Sequence, residues 1–408
     1  MLHRIILSYF ISFICLSVSA QNFYHTKGQT IIDPAGKTFQ MKGTNLGNWL
    51  VPEGYMFKFK NTNSPAMINQ LLLQLVGPDE AATFWKKFLD NYITSEDINY
   101  LKSIGVNSIR APFNYRLFTD EYYMGDNNPE HGFKYLDSLV KWCKVANMPI
   151  LLDMHSAPGG QTGDNIDDSF GYPYLFESAT QQQRCIDIWQ RIAKHYANEP
   201  IIIGYDLLNE PIATYFDKTI LNPHLEPLYK KITSAIRAVD THHILFFGGA
   251  QWNGNFSVFG APFDNNAVYT FHKYWMPTTQ EHIQEYINFS NKYNVPIYCG
   301  ETGENDDDWI MRFRKLLDSN HISWHFWPYK KMESTRGFLQ FAAPAAYDSI
   351  IAYSEAPRLT YADIRKYRPT NIVEVKQALD GVLENCLFKN CSFNNGYIKA
   401  LGFVPKKH

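Results

Sequence analysis

The strongest constraint on this chain is an alternation. Eight short runs rich in β-branched and aromatic residues are separated by longer stretches with helical periodicity. The predicted strands are 39–45, 108–112, 149–155, 201–209, 244–248, 267–272, 296–301 and 323–327. Helical patterns at 95–104, 135–146, 180–196, 225–239, 280–294 and 309–319 lie between them. The strands are almost continuously apolar, as burial on both faces requires. Eight such strands with covering helices predict an α/β fold, a (β/α)8 TIM barrel. An open doubly wound sheet is the alternative, and it ordinarily carries a Gly-rich phosphate turn after its first strand. Here Gly43-Thr-Asn-Leu-Gly47 lacks the third glycine, and no helix follows it directly. A small hairpin over 23–41, turning at Asp33-Pro34-Ala35-Gly36, precedes the barrel. Extended βα loops fall at 55–91 and 159–176. The first has its own helical pattern and is expected to lie over the barrel mouth.

The ends read differently. Residues 1–20 carry His3 and Arg4, then an apolar run, then Val18-Ser19-Ala20. That pattern predicts a secretory signal cleaved before Gln21, and hence a secreted, periplasmic or cell-surface protein. No later stretch is apolar and long enough to span a bilayer. Residues 21–385 form the expected barrel domain, with a barrel-closing helix at 372–384. Residues 386–408 form a tail packed on or trailing it. Cys386 and Cys391 are spaced to close a small loop if oxidised. Cys143, Cys185 and Cys299 lie in apolar contexts and read as buried thiols. Oligomeric state is not legible.

Composition narrows the function classes. The formal net charge is −2, so a nucleic-acid binder, which needs a Lys/Arg surplus, is not expected. No CxxC or HExxH spacing occurs, so no metal site is predicted. Aromatic residues make up 15% of the chain, an excess that suits both a large core and rings stacking on a ligand.

In a barrel of this kind, function collects at the C-terminal ends of the strands. Reading those ends in turn gives a polar set. Asn45 is followed by Asn48, Trp49 and Glu53; Arg110 by Asn114 and Tyr115; then come Asp153 and His155. Asn209 and Glu210 follow the fourth strand, His272 and Tyr274 the sixth, Glu301 the seventh and Trp327 the eighth. Glu210 and Glu301 can face each other across one mouth. Glycoside hydrolysis needs such a pair, one acid to protonate the leaving oxygen and one carboxylate to attack or stabilise C1. Arg110, His155 and Tyr274 are placed to hold the second carboxylate ionised and oriented. Asp153 and Asp206 lie within strands and read as structural hydrogen-bonding groups.

The ordered segments carry a resemblance. Met41-Lys-Gly-Thr-Asn-Leu-Gly-Asn-Trp-Leu-Val-Pro-Glu53 resembles the first strand of glycoside hydrolase family 5, the cellulase family. Within it, the segment is most similar to the exo-β-1,3-glucanase-like branch. Gly105–Phe113, Leu151–Gln161, Leu207-Leu-Asn-Glu-Pro211, His272-Lys-Tyr274, Gly300-Glu301 and Trp324-His-Phe-Trp327 continue the match in order. The resemblance implies Glu210 as acid/base and Glu301 as nucleophile of a retaining β-glycosidase. It also implies Asn209 on the sugar 2-OH, Arg110, His155, His272 and Tyr274 in support, and Trp327 under the sugar. Glu53 falls where the branch grips the terminal sugar. Asn48-Trp49 replaces the branch's usual Gly-Trp, and Lys330-Lys-Met-Glu333 departs after the last strand. The implied partner is a β-linked oligo- or polysaccharide, with no metal or organic cofactor. Other β-linked substrates (mannan, xylan, a glycolipid) and a catalytically dead carbohydrate-binding protein are the alternatives. The acidic and aromatic residues of 159–176 are expected around the sugar sites.

Overall fold

A computed structural model of the protein describes residues 23–406; the expected signal over 1–20 lies outside them. Eight parallel strands close into a barrel in sequence order. They are β1 (Lys42–Asn45), β2 (Ser108–Asn114), β3 (Ile150–Ser156), β4 (Ile202–Asp206), β5 (Ile244–Gly248), β6 (Ala267–His272), β7 (Ile297–Glu301) and β8 (Ser323–Phe326). Closure comes from β8 pairing with β1, with Trp324 opposite Lys42. Every residue of β2 to β8 is buried, which is why these strands read as unbroken apolar runs. The fourth strand ends earlier than its apolar run suggests, at Asp206. Asn209 still donates its backbone N–H to Met154 at 3.1 Å. The chain then turns sharply, with Glu210 at φ 45°.

The helices follow the predicted order. They are α1 (Pro65–Val76), α2 (Pro78–Tyr92), α3 (Ser95–Ile104), α4 (His131–Ala146), α5 (Ala179–Tyr196), α6 (Lys218–Arg237), α7 (Gln284–Tyr293) and α8 (Asp307–Ser319). Local chemistry sets their ends. α3 starts in a capping box, where Asp97 Oδ2 accepts the Thr94 backbone N–H at 2.8 Å, and it stops at Gly105 with φ 108°. Between β5 and β6 there is only a short turn, Ala250–Asn253, and a 3-10 turn, Phe256–Val258. The gap is filled by rings. Phe256, Phe259, Tyr269, Tyr286 and Phe289 make mutual contacts with centroids 4.7–6.2 Å apart. Part of the aromatic excess therefore substitutes for helix packing.

Two expectations about the periphery need correcting. The insertion at 55–91 does not cover the mouth with its helices. α1 and α2 pack on the helix Ile372–Asn385, so their apolar faces find a partner at the flank. Only the turn Gly54–Phe57 reaches the mouth, through Tyr55. For the same reason Ile372–Asn385 covers the insertion rather than closing the barrel. The tail is well packed: Ser392–Phe393 pairs with Leu339–Phe341, and the helix Asn395–Ala400 lies on α8. Cys386 and Cys391 are buried free thiols, as are Cys143, Cys185 and Cys299. Among the described residues no helix is long and apolar enough to cross a membrane.

One buried charge ties tail, insertion and barrel together. Lys330 Nζ is fully buried and binds Asp97 Oδ1 at 2.8 Å, Tyr92 O at 2.7 Å and Cys386 O at 3.0 Å. Removing the carboxylate strands the ammonium in an apolar interior. Asp97→Ala is expected to lower unfolding stability by about 3–5 kcal/mol in urea titration, and the double variant Asp97→Ala/Lys330→Met to recover most of it. A single variant within about 1 kcal/mol of the parent contradicts this account.

Candidate active site

The strand ends bring Glu210 and Glu301 together. Carboxylate oxygens of the two, with a ring nitrogen of His272, all lie within 4.8 Å of one another. Both side chains are nearly buried. Arg110 organises the pair from beneath. Four of its five N–H groups have a hydrogen-bond acceptor. Nε donates to Asp206 Oδ2 at 2.8 Å. One terminal nitrogen donates to Asn45 Oδ1 at 3.0 Å and Glu301 Oε1 at 2.5 Å. The other donates to Asn209 Oδ1 at 3.0 Å and forms an ion pair with Asp153 Oδ1 at 2.9 Å. Asp153 and Asp206, expected to be structural, anchor this guanidinium.

Imidazoles and a phenol complete the inner ring. His155 donates from Nδ1 to Asp153 Oδ2 at 2.8 Å, and its Nε2 accepts from Asn209 Nδ2 at 3.4 Å. His272 Nδ1 shares a hydrogen bond of 2.9 Å with Glu210 Oε1. Tyr274 donates its phenol proton to Glu301 Oε2 at 3.2 Å. Trp327 stacks on His155 with ring centroids 5.3 Å apart. Gly47 lets this floor form, because a Cβ there would meet the Trp327 ring at 2.7 Å.

Both glutamates are raised above the usual carboxylate range, Glu210 the further. Burial, then the charge of Glu301, pushes Glu210 well above the usual carboxylate range. Burial raises Glu301 as well, but the Arg110 guanidinium opposes that rise. Burial also pushes both imidazoles down, His155 to about 4 and His272 well below its ordinary value. Both rings are therefore neutral near pH 7. A protonated acid beside a stabilised carboxylate can donate a proton and offer a negative charge to the same bond.

The mouth is a cavity of about 640 Å³ lined by Glu53, His155, Glu210, His272, Tyr274, Glu301 and Trp327. Arg110 and Asn209 lie just beneath it. Three named residues are elsewhere. Trp49 is buried, stacks edge-on against Tyr135 at 6.1 Å and donates its indole N–H to Leu89 O at 2.9 Å. Asn48 is buried too; its Oδ1 accepts the Glu53 backbone N–H at 3.1 Å, so it positions the loop rather than lining the cavity. Tyr115 likewise points away and donates to Glu121 at 3.0 Å. The acids of 159–176 organise their own loop. Asp167 accepts the backbone N–H of Thr162 at 2.7 Å, and Asp168 pairs with Arg116; only Ile166 from that segment lines the mouth.

Sequence reasoning missed a polar wall. Trp327 donates its indole N–H to Tyr55 Oη at 2.7 Å, and Tyr55 donates onward to Glu304 Oε1 at 3.3 Å. Lys331 Nζ binds both Glu304 oxygens at 2.8 Å. Glu304 lies three residues past Glu301 in the same loop, which was the available signal. Gln251 and Trp252, from the turn after β5, also line the mouth.

Comparison with known proteins places the chain in a family. Residues 74–333 match the family model for cellulase, glycosyl hydrolase family 5. The chain is 34% identical over 255 residues to a beta-xylosidase of Phanerodontia chrysosporium, covering 62% of this chain and 52% of that one. It thus spans about half of that relative's length. It is 28% identical over 315 residues to Endoglucanase C of Acetivibrio thermocellus, covering 61% and 88%. It is 24% identical over 280 residues to a probable glucan 1,3-beta-glucosidase A of Aspergillus clavatus, covering 64% of each.

Glu53 gives a stability test. Burial, then Glu301 and Glu304, raises its carboxyl to about 8. An acid with a raised folded pKa binds more protons folded than unfolded, so stability falls as pH rises between the unfolded value and about 8. Glu53→Gln removes that loss. In urea titrations at pH 5 and pH 8, the variant should gain on the parent with rising pH. An equal difference at both pH values contradicts the assignment.

Proposed function

The chain belongs to glycosyl hydrolase family 5, and from that premise we propose that it is a secreted, retaining β-glycosidase acting on β-glucans or related β-glucosides. It is a glycoside hydrolase of the glucanase and glucosidase type. The observation that carries the finer reading is the approach of Glu210 and Glu301 oxygens within 4.8 Å. Inverting enzymes hold their carboxyl groups roughly 6.5–9.5 Å apart to admit a water, whereas retaining ones stand at about 5–5.5 Å.

In this reading the sugar ring rests on Trp327, with Asn209 on its 2-OH. Glu301 attacks C1 as the C1–O bond breaks. The proton of Glu210 passes to the leaving oxygen, giving a glycosyl-enzyme and a free alcohol. Water then attacks C1, Glu210 takes its proton, and Glu301 is released as carboxylate. Arg110 and Tyr274 keep the Glu301 oxygens charged and aimed. No step calls on a metal or organic cofactor. The likeness to a beta-xylosidase favours one second reading, a β-xyloside substrate.

Three measurements test this. Glu301→Gln should abolish nearly all hydrolysis, since an amide cannot form the ester; full activity on an aryl glucoside would refute the assignment. Proton NMR of the first product should show the β anomer, and the α anomer would mean inversion. The pH–rate profile should fall on the alkaline side as Glu210 loses its proton, with a midpoint raised above an ordinary carboxylate. A panel of aryl glucoside and xyloside, with oligosaccharides followed over time, separates the sugar and exo from endo action.

A further inference from the structure

We propose that Asn253 is a positioning residue that fixes the tautomer of His272 and so places the acidic proton of Glu210 on Oε2. The proposal rests on the acid role of Glu210 argued above. It begins with strained backbone. Directly after β5, Gln251, Trp252 and Asn253 take φ of 52°, 62° and 58°, three consecutive residues in the left-handed region. That conformation is costly for side chains other than glycine, and runs of it persist only where the surroundings enforce them. The surroundings here do so. The Gln251 carboxamide donates to Asn222 Oδ1 at 2.8 Å, and its oxygen accepts from Asn222 Nδ2 at 3.2 Å and Asn255 Nδ2 at 2.8 Å. Ala250 and Asn255 exchange backbone hydrogen bonds of 3.1 and 2.8 Å.

The result is one fully buried amide behind His272. Asn253 Nδ2 donates to His272 Nε2 at 3.1 Å. Gly248 makes room for it, since a Cβ there would meet Asn253 Oδ1 at 2.3 Å. That oxygen is buried and has no hydrogen-bond donor among the described residues. The turn leaves one polar atom unsatisfied while presenting the amide N–H to the ring.

The ring's other side fixes the logic. His272 Nδ1 faces Glu210 Oε1 at 2.9 Å and Glu301 Oε2 at 3.9 Å. A neutral ring that donates from Nδ1 has a bare Nε2, which requires a donor behind it. Asn253 is that donor. With Nδ1–H on Oε1, the acidic proton of Glu210 belongs to Oε2, free for the leaving group. In the opposite tautomer the Nδ1 lone pair would hold that proton on Oε1.

Two substitutions keep the backbone and change the chemistry. Glycine accepts the left-handed conformation, so Asn253→Gly deletes the donor without straining the turn. Aspartate tolerates it too, so Asn253→Asp replaces the donor with an acceptor in the same shape. Nitrogen-15 NMR of histidine-labelled protein, with His272 assigned from its absence in His272→Asn, reads the tautomer without turnover. The parent should show protonated Nδ1 and bare Nε2, and Asn253→Asp a protonated Nε2. In both variants the rate on an alkyl β-glucoside should fall at least tenfold further than on a dinitrophenyl β-glucoside, whose leaving group needs no acid. A protonated Nε2 in the neutral parent, or equal losses on both substrates, overturns the proposal. A parent with the expected tautomer but no β-glycosidase activity would refute the functional reading instead.

Discussion

One guanidinium holds this molecule's chemistry in place. Arg110 is fully buried and pairs with Asp153, Asp206 and Glu301 at once, and it also donates to Asn45 and Asn209. One positive charge cannot neutralise three carboxylates, and burial leaves Asp153 and Asp206 raised to about 7. The excess negative character is carried upward to Glu210, which responds by keeping its proton. A lysine would supply charge but not five fixed directions, so it could not reach β1, β3, β4 and β7 together.

The site is layered around that centre. Arg110 fixes Glu301, Glu301 raises Glu210, and neutral imidazoles orient both without adding charge. Trp327 and the Tyr55–Glu304–Lys331 chain then form one wall of the cavity. Each layer is neutral or paired, so the free negative charge faces the position a substrate would occupy.

Much of this was legible in sequence, for definable reasons. Burial on both faces made the strands continuous apolar runs, and a barrel converts strand ends into a shared mouth. Glu210, Glu301, His155 and His272 were therefore placed by periodicity and order alone. Trp49 and Tyr115 misled because a position just past a strand does not say whether the ring turns inward. Asn48 looked like a ligand residue but works through the backbone of Glu53. Asp164 and Asp167 bind backbone N–H groups of their own loop and Asp168 pairs with Arg116, roles that composition cannot separate from substrate binding. Asn253 was missed because its function depends on three left-handed residues. The Asn253-Gly254 pair was the only local hint of a special turn.

The barrel's closure has a kinetic meaning. Its last seam joins β8 to β1, and the Thr44–Phe326 hydrogen bond across it spans 282 residues of chain. Contacts of such separation carry a large loop-closure cost and form slowly. Asn45 lies beside that seam and Glu301 on the neighbouring strand, so the acceptor shell of Arg110 is incomplete until the seam shuts. The pairing of β8 with β1 is therefore also the contact that completes the electrostatics of the site.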